Sequence, residues 1–219
     1  ILTSLAFGTE VDAEGVSVEG ISAIQPLDLK MAEELGYRIK LLGVARLADG
    51  GLEARMQPCL VPIGSPLGQL EGVTNMVVLE GDFVGRIVMS GPGAGAGPTA
   101  SAIVGDIVDI ARGLTIPAFG QPAATLVANN VQATPSEAAY YLRVTLVDAP
   151  GVLAKVAAAL GAAGISINRM RQVEHDGPDA PVLIVTHATS RQALDGALAE
   201  IEALDVCRAA PVAIRIEDV

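Results

Sequence analysis

The chain has 219 residues, a formal net charge of -11 and 51% hydrophobic residues, but only 3% aromatics and no Trp. That length suits one large or two ordinary domains, with a core built from Ala, Val, Leu and Ile. An acidic chain without a lysine or arginine cluster argues against nucleic acid and anionic membranes as partners, and no apolar stretch is long enough to span a bilayer. Cys59 and Cys207 lie far apart with no CxxC spacing and read as buried, reduced thiols. His175 and His187 have no companions at metal-ligand spacing, so no metal is expected. No signal peptide is visible, and the cytoplasm is the expected compartment.

Taken in order, residues 1–8 read as the back half of a helix, with Gly8 as its stop. A helix without an N-cap or initiator Met suggests that the sequence is a piece of a longer chain. Residues 16–24 are extended and lead into Pro26. A helix is expected over 27–35, with Leu27, Met31 and Leu35 on one face and Gly36 as stop. Residues 37–47 read as a buried strand, Asp49-Gly-Gly51 as a hairpin turn, and 52–62 as the return strand. On that return strand Glu53 and Arg55 form a polar set opposite Ala54 and Met56. Lys40, inside an apolar strand, invites a catalytic reading, but a strand lysine whose ammonium reaches water is the preferred one. A loop or short helical turn over 63–69 and a strand over 73–80 follow. The middle region is therefore expected to be a mixed, mostly antiparallel sheet with helices on one face, an α+β layer.

Residues 83–112 read as strand, glycine-rich turn and helix. Val84, Ile87, Val88 and Met89 supply the strand, and Gly91, Gly93, Gly95 and Gly97 crowd the turn. From Thr99 onward Ala100, Ile103, Val104, Ile107, Val108 and Ala111 recur at helical spacing, with Arg112 and Gly113 at the end. The glycine spacing does not fit the G-x-G-x-x-G of a first dinucleotide-binding turn. On spacing alone, a turn that admits a ligand and a tight connection without one both stay open. Residues 114–138 look like a linker, with Pro117, Pro122 and Pro135.

The last third gives a clean alternation. A strand over 140–147 places Leu142, Val144 and Leu146 on one side and Arg143 and Thr145 on the other. Asp148-Ala-Pro-Gly151 turns into a helix, with Pro150 in its first turn and Val152, Leu153, Val156, Leu160 and Ala163 on its apolar face. Strands over 165–173 and 181–187, a turn at 175–179, a helix capped by Ser190 and a closing strand over 212–216 complete a βαββαβ order, the ferredoxin-like arrangement.

Several motifs carry a family resemblance. Gly91-Pro-Gly-Ala-Gly-Ala-Gly-Pro-Thr-Ala-Ser-Ala-Ile-Val-Gly-Asp106 resembles the late glycine-rich segment of homoserine dehydrogenases. Ala6-Phe-Gly8, Glu19-Gly-Ile21, Asp28, Ala32 and Leu35-Gly-Tyr-Arg-Ile-Lys-Leu-Leu-Gly43 are similar to the middle of the same family. Asp148-Ala-Pro-Gly-Val-Leu153, followed by Gly164-Ile-Ser-Ile-Asn168, resembles the signature of the ACT regulatory domain that many bacterial members carry. The resemblance implies a substrate-binding and dimerisation region at 1–113, a linker at 114–138 and an ACT domain at 139–219.

The same resemblance implies interconversion of aspartate 4-semialdehyde and homoserine with NADP or NAD, on the way to threonine and methionine. Gly93, Ala94, Gly95 and Thr99 are then expected to close over the nicotinamide end of the cofactor. The Rossmann segment and the family's catalytic aspartate and lysine are expected before Ile1, leaving no catalytic residue in this stretch and no activity in it alone. An amino-acid effector, threonine by family habit, is expected at Asp148, Gly151, Val152, Leu153 and Asn168. Helix-start amides would receive its carboxylate and Asp148 its ammonium. The alternative is that Asp148 organises the turn and Asn168 is a surface strand residue. A homodimer or homotetramer is expected. The reading from a different class is a non-catalytic amino-acid-binding module whose first region is only a dimerisation scaffold.

Overall fold

The computed structural model describes residues 1–48, 51–129, 136–173 and 177–219. Asp49 and Gly50 of the expected hairpin turn, Pro135 of the expected linker and His175 lie outside the described residues. In chain order, the first elements are α1 (Leu2–Phe7), β1 (Thr9–Val11), β2 (Ser17–Val18), α2 (Pro26–Glu34), β3 (Tyr37–Ala48) and β4 (Gly51–Pro62). Then come α3 (Pro66–Gln69), β5 (Thr74–Gly81), β6 (Gly85–Pro92), α4 (Ala96–Ala111), a 3-10 turn (Ala123–Thr125) and β7 (Val127–Asn129). The last are β8 (Tyr140–Val147), α5 (Val152–Ala162), β9 (Ile167–Gln172), β10 (Asp179–Thr186), α6 (Arg191–Glu202) and β11 (Val212–Ile216).

Packing divides the chain differently from sequence order. One unit is Asp12–Pro62 with Asn130–Asp218, and the other is Ile1–Val11 with Ile63–Asn129. Residues 12–62 find their sheet neighbours in the last third of the chain, where β4 pairs with β11.

The larger unit is one seven-stranded sheet. Its strands β11-β8-β10-β9 are the βαββαβ module, antiparallel throughout and in the expected ferredoxin-like order. The sheet does not stop there. β4 joins it by lying parallel to β11, with Arg215 opposite Cys59 and Ile216 opposite Leu60. The same edge of β4 takes β2 further along, Ser17 opposite Arg55. Its other edge pairs with β3 over the full length, from Tyr37↔Pro62 to Ala48↔Gly51.

Both faces of this sheet are covered. On one, α5 and α6 bury Val156, Leu160, Leu194, Ala197 and Ile201 against Leu142, Val144, Leu146 and Ile184. On the other, α2 lays Met31 and Ala32 against Tyr141, Leu183, Ile214 and Leu60. Truncating one such buried side chain to Ala costs about 2–5 kcal/mol. The alternation expected on β8 is therefore real, but its second side is not solvent: Tyr141 and Arg143 are buried under α2.

The polar set on β4 does not face solvent, and Ala54 opposite it is buried too. Glu53 and Arg55 are buried, while Met56 is 45% exposed. Helix starts differ too. α2 begins at Pro26, fixed by a capping box between Gln25 and Asp28. α5 begins only after Gly151, which adopts φ 83°, so Pro150 stands before the helix rather than in its first turn. α4 begins at Ala96 rather than Thr99.

The smaller unit holds α1, the parallel pair β1–β7, the β5–β6 hairpin, α3 and α4. Gly8 closes α1 in the left-handed conformation, as expected. Thr9 Oγ1 donates to the Val127 carbonyl at 2.6 Å, and Gln121 Nε2 to the Gly8 carbonyl at 3.4 Å. Part of the expected linker is thus strand. α4 runs 16 residues and none is buried: Ile103, Val104 and Ile107 of its expected apolar face are exposed.

Candidate functional sites

The glycine turn sits between β6 and α4. Gly95 is the N-cap of α4, with φ 115° and ψ 155°, a backbone state that a side chain strains. A Cβ at Gly93 would collide with the Asn75 side chain on the paired strand. Gly95 therefore has a firm backbone reason, Gly93 one that a turn of the exposed Asn75 side chain relieves, and a Cβ at Gly97 meets nothing within 4 Å. Gly93, Ala94, Gly95 and Thr99 are all exposed and lie together around the helix start. Thr99 N–H donates to the Gly95 carbonyl at 3.1 Å, closing the first turn. A small, exposed turn at the positive end of a 16-residue helix fits a polar or anionic ligand end.

In the larger unit, the β8–α5 turn lines a cavity of about 190 Å³. Asp148, Gly151, Val152 and Leu153 of the expected effector set are on its wall. The sequence reading missed Gln172, Ala180 and Val182, which close it from β9 and β10. Gln172 Nε2 donates to Asp148 Oδ1 at 3.3 Å. Leu146, Val182 and Ala180 make an apolar floor, and the start of α5 and Asp148 supply the polar rim. Asn168 is not on this wall. It is exposed, four positions from Gln172, roughly 13 Å along the strand. Lys40 is half-buried on β3, outside both sites.

Two buried charge clusters were not foreseen. Asp28 Oδ1 accepts from Tyr141 Oη at 2.9 Å and from Arg143 Nε at 2.8 Å, while its Oδ2 accepts from the Gln25 N–H at 2.8 Å. Burial, reinforced by the Asp28 carboxylate, pushes the Tyr141 phenol above its ordinary value and keeps it a donor.

The second cluster joins β4 to β11. Arg55 bridges Glu53 and Glu217, and Arg215 Nε donates to Glu217 Oε1 at 2.6 Å. Arg215 Nη1 and Nη2 reach the Ser136 carbonyl and hydroxyl at 2.7 and 3.0 Å. Arg46, 45% exposed, adds a contact to Glu217 at 3.2 Å. Burial pushes the Glu217 carboxyl up, but Arg55 and Arg215 together outweigh it and hold the group below its ordinary value. Burial lowers Arg55 despite Glu217. Beside them, burial pushes the Cys59 thiol up to about 12, so it is an inert packing group. Cys207 is half-buried rather than buried, and both cysteines are free. Among the described residues no group of His, Cys, Asp and Glu is arranged to hold a metal. Among them, too, no helix is long and apolar enough to cross a membrane.

A glycine-turned strand–helix connection in the smaller unit, and in the larger a βαββαβ module of ferredoxin-like order with a small cavity at its first turn, are the features by which the chain can be classed. The comparisons name the class. Residues 1–108 match the family model for homoserine dehydrogenase and 140–206 that for the ACT domain. The homoserine dehydrogenase of Pseudomonas aeruginosa is 40% identical over 99% of this chain, and that of Neisseria gonorrhoeae 41% over 99%. The crystal structure of a homoserine dehydrogenase from Thiobacillus denitrificans superposes with a TM-score of 0.83 at 38% identity, covering 99% of this chain and 51% of that one. The chain belongs to the homoserine dehydrogenase family and carries an ACT domain. It spans about half the length of the curated relatives it matches, 52% in both cases.

The Glu217 cluster makes stability pH-dependent with a definite sign. Its folded pKa lies below the unfolded value near 4.5, so its contribution is present above that value and is lost as pH falls through the folded pKa. Glu217→Gln should flatten the acid limb of a melting-temperature-against-pH curve. At neutral pH it should cost about 3–5 kcal/mol, because it leaves buried guanidinium groups short of a countercharge. Arg46→Gln, on the exposed rim, should cost less than about 1 kcal/mol. An unchanged acid limb in Glu217→Gln would overturn the assignment.

Proposed function

We propose that this chain is the substrate-binding, dimerising and regulatory part of a homoserine dehydrogenase, which interconverts aspartate 4-semialdehyde and homoserine in threonine and methionine synthesis. The observation that carries this is the end-to-end match, 40% identity across 99% of the chain with both family models in order. It also favours the enzyme over a sensing module with an inert scaffold. A nicotinamide cofactor, NADP or NAD, supplies the hydride chemistry when bound. Gly93, Ala94, Gly95 and Thr99 close over its nicotinamide end, where small residues permit close approach. The dinucleotide-binding segment and an aspartate–lysine pair for proton transfer precede Ile1. The enzyme works in the cytoplasm as a homodimer or homotetramer. The exposed apolar strands of the β5–β6 hairpin and the face of α4 support assembly.

The effector reading rests on the β8–α5 cavity. Amides at the start of α5 receive the carboxylate of a small amino acid, threonine first among them, and Asp148 takes its ammonium. Gly151 frees the turn, and Val152 and Leu153 line the side-chain pocket. Asn168 contributes from a second ACT domain across an interface, since within one chain it stands away from Asp148.

Three measurements test these statements. The chain alone should show no homoserine oxidation with NADP or NAD. Turnover above background that disappears in Gly95→Val would sink the claim that catalysis needs the preceding segment. Sedimentation at micromolar concentration should show a dimer or larger form, and a monomer would count against the assembly. Asp148→Asn should weaken threonine binding in calorimetry by about 1.5–3 kcal/mol, roughly ten- to a hundred-fold, with the fold intact. Equal binding by both proteins would refute the contact, and no binding of any aspartate-family amino acid would leave the domain to assembly alone.

A further inference from the structure

The segment 19–28 belongs by sequence to the enzyme region, yet it is fastened to the ACT module at three points. Glu19 pairs with Arg191 at the start of α6. The Ala23 carbonyl accepts from Arg143 Nη2 at 3.0 Å. Asp28 accepts from both Tyr141 and Arg143 on β8. The last two points share one strand, and that strand runs straight on to Asp148 at the cavity. Arg143 and Asp148 are five positions apart, roughly 17 Å of extended chain.

We propose that the Asp28–Tyr141–Arg143 node is the coupling device through which occupancy of the β8–α5 cavity reaches the enzyme region. The inference rests on the effector reading above. Asp28 Oδ1 holds two donors from β8 while Oδ2 holds the Gln25 N–H that caps α2. A shift of β8 along its axis therefore acts on both donors together and pulls on the first turn of α2. α2 passes that displacement directly into β3, through the turn at Gly36, and β3 is paired with β4 along its whole length. Tyr141, Arg143 and Asp28 are positioning residues in this scheme, since none of them touches the cavity.

The test uses the full-length protein, L-threonine as probe, and the variants Tyr141→Phe and Asp28→Asn. Tyr141→Phe keeps the ring in the core and removes only the hydroxyl donor, so it decides the question even if Asp28→Asn fails to fold. In the wild type, saturating threonine should change the apparent affinity for homoserine by about 5- to 150-fold, the usual range of allosteric coupling. In Tyr141→Phe, which leaves the Arg143 donor in place, the change should shrink at least severalfold, while calorimetry still shows threonine bound and uninhibited turnover is unchanged. Amide hydrogen exchange across 19–28 should respond to threonine in the wild type and not in the variant. A full wild-type response in Tyr141→Phe overturns the coupling role and leaves the effector site standing. Absence of threonine binding to the wild type overturns the effector reading, and the coupling with it.

Discussion

The junction of β4 with β11 is constrained by buried guanidinium groups that need a countercharge. Arg55 and Arg215 have almost no exposed side-chain surface, and both turn to the carboxylate of Glu217. An uncompensated charge in such a place costs several kcal/mol, more than most single contacts supply. Glu217 stands just beyond β11 and Arg55 lies within β4, so satisfying the charge requires these two segments to be neighbours. The backbone agrees: the Glu217 N–H donates to the Leu60 carbonyl at 2.9 Å. The hairpin β3–β4 and the βαββαβ module therefore share one continuous sheet.

That continuity explains which parts of the fold were legible in the sequence. Helices and strands with one apolar stripe declared themselves: Leu194, Ala197 and Ile201 on α6, and Leu142, Val144 and Leu146 on β8, are buried where periodicity put them. What periodicity cannot reveal is a neighbour from a distant part of the chain. Glu53 and Arg55 alternate with Ala54 as a half-exposed strand would. Their burial comes with Glu217, 162 residues beyond Arg55, which supplies the opposite charge. Arg143 on β8 misleads in the same way, because its partner Asp28 is 115 residues away. In each case the charged residue marks a buried pair, and the signal that could have found it is a second charge of opposite sign on another strand or helix.

The glycine turn shows the opposite balance. Gly91, Gly93, Gly95 and Gly97 crowd one turn, and spacing alone left a ligand turn and a tight connection both open. The structure separates them: Gly95 is needed for its φ, Gly93 lies against the movable Asn75 side chain, and Gly97 is under no such constraint.

The β8–α5 cavity was half legible, and the reason is geometric. The Asp148–Leu153 motif is local, and a strand-to-helix turn keeps its residues on one wall whatever the rest of the fold does. Asn168 was grouped with it because the two motifs occur together in sequence. Co-occurrence in sequence does not fix distance. β9 runs antiparallel to β10, and its later end, at Gln172, is the one brought to Asp148. Asn168 lies towards the other end of an edge strand, with its side chain exposed. An edge strand is where a second copy can add its own strand, and exposed edges are normally paired or covered. The neutral amide beside the Asp148 carboxylate is Gln172, supplied by the end of β9 that the antiparallel register brings to the turn.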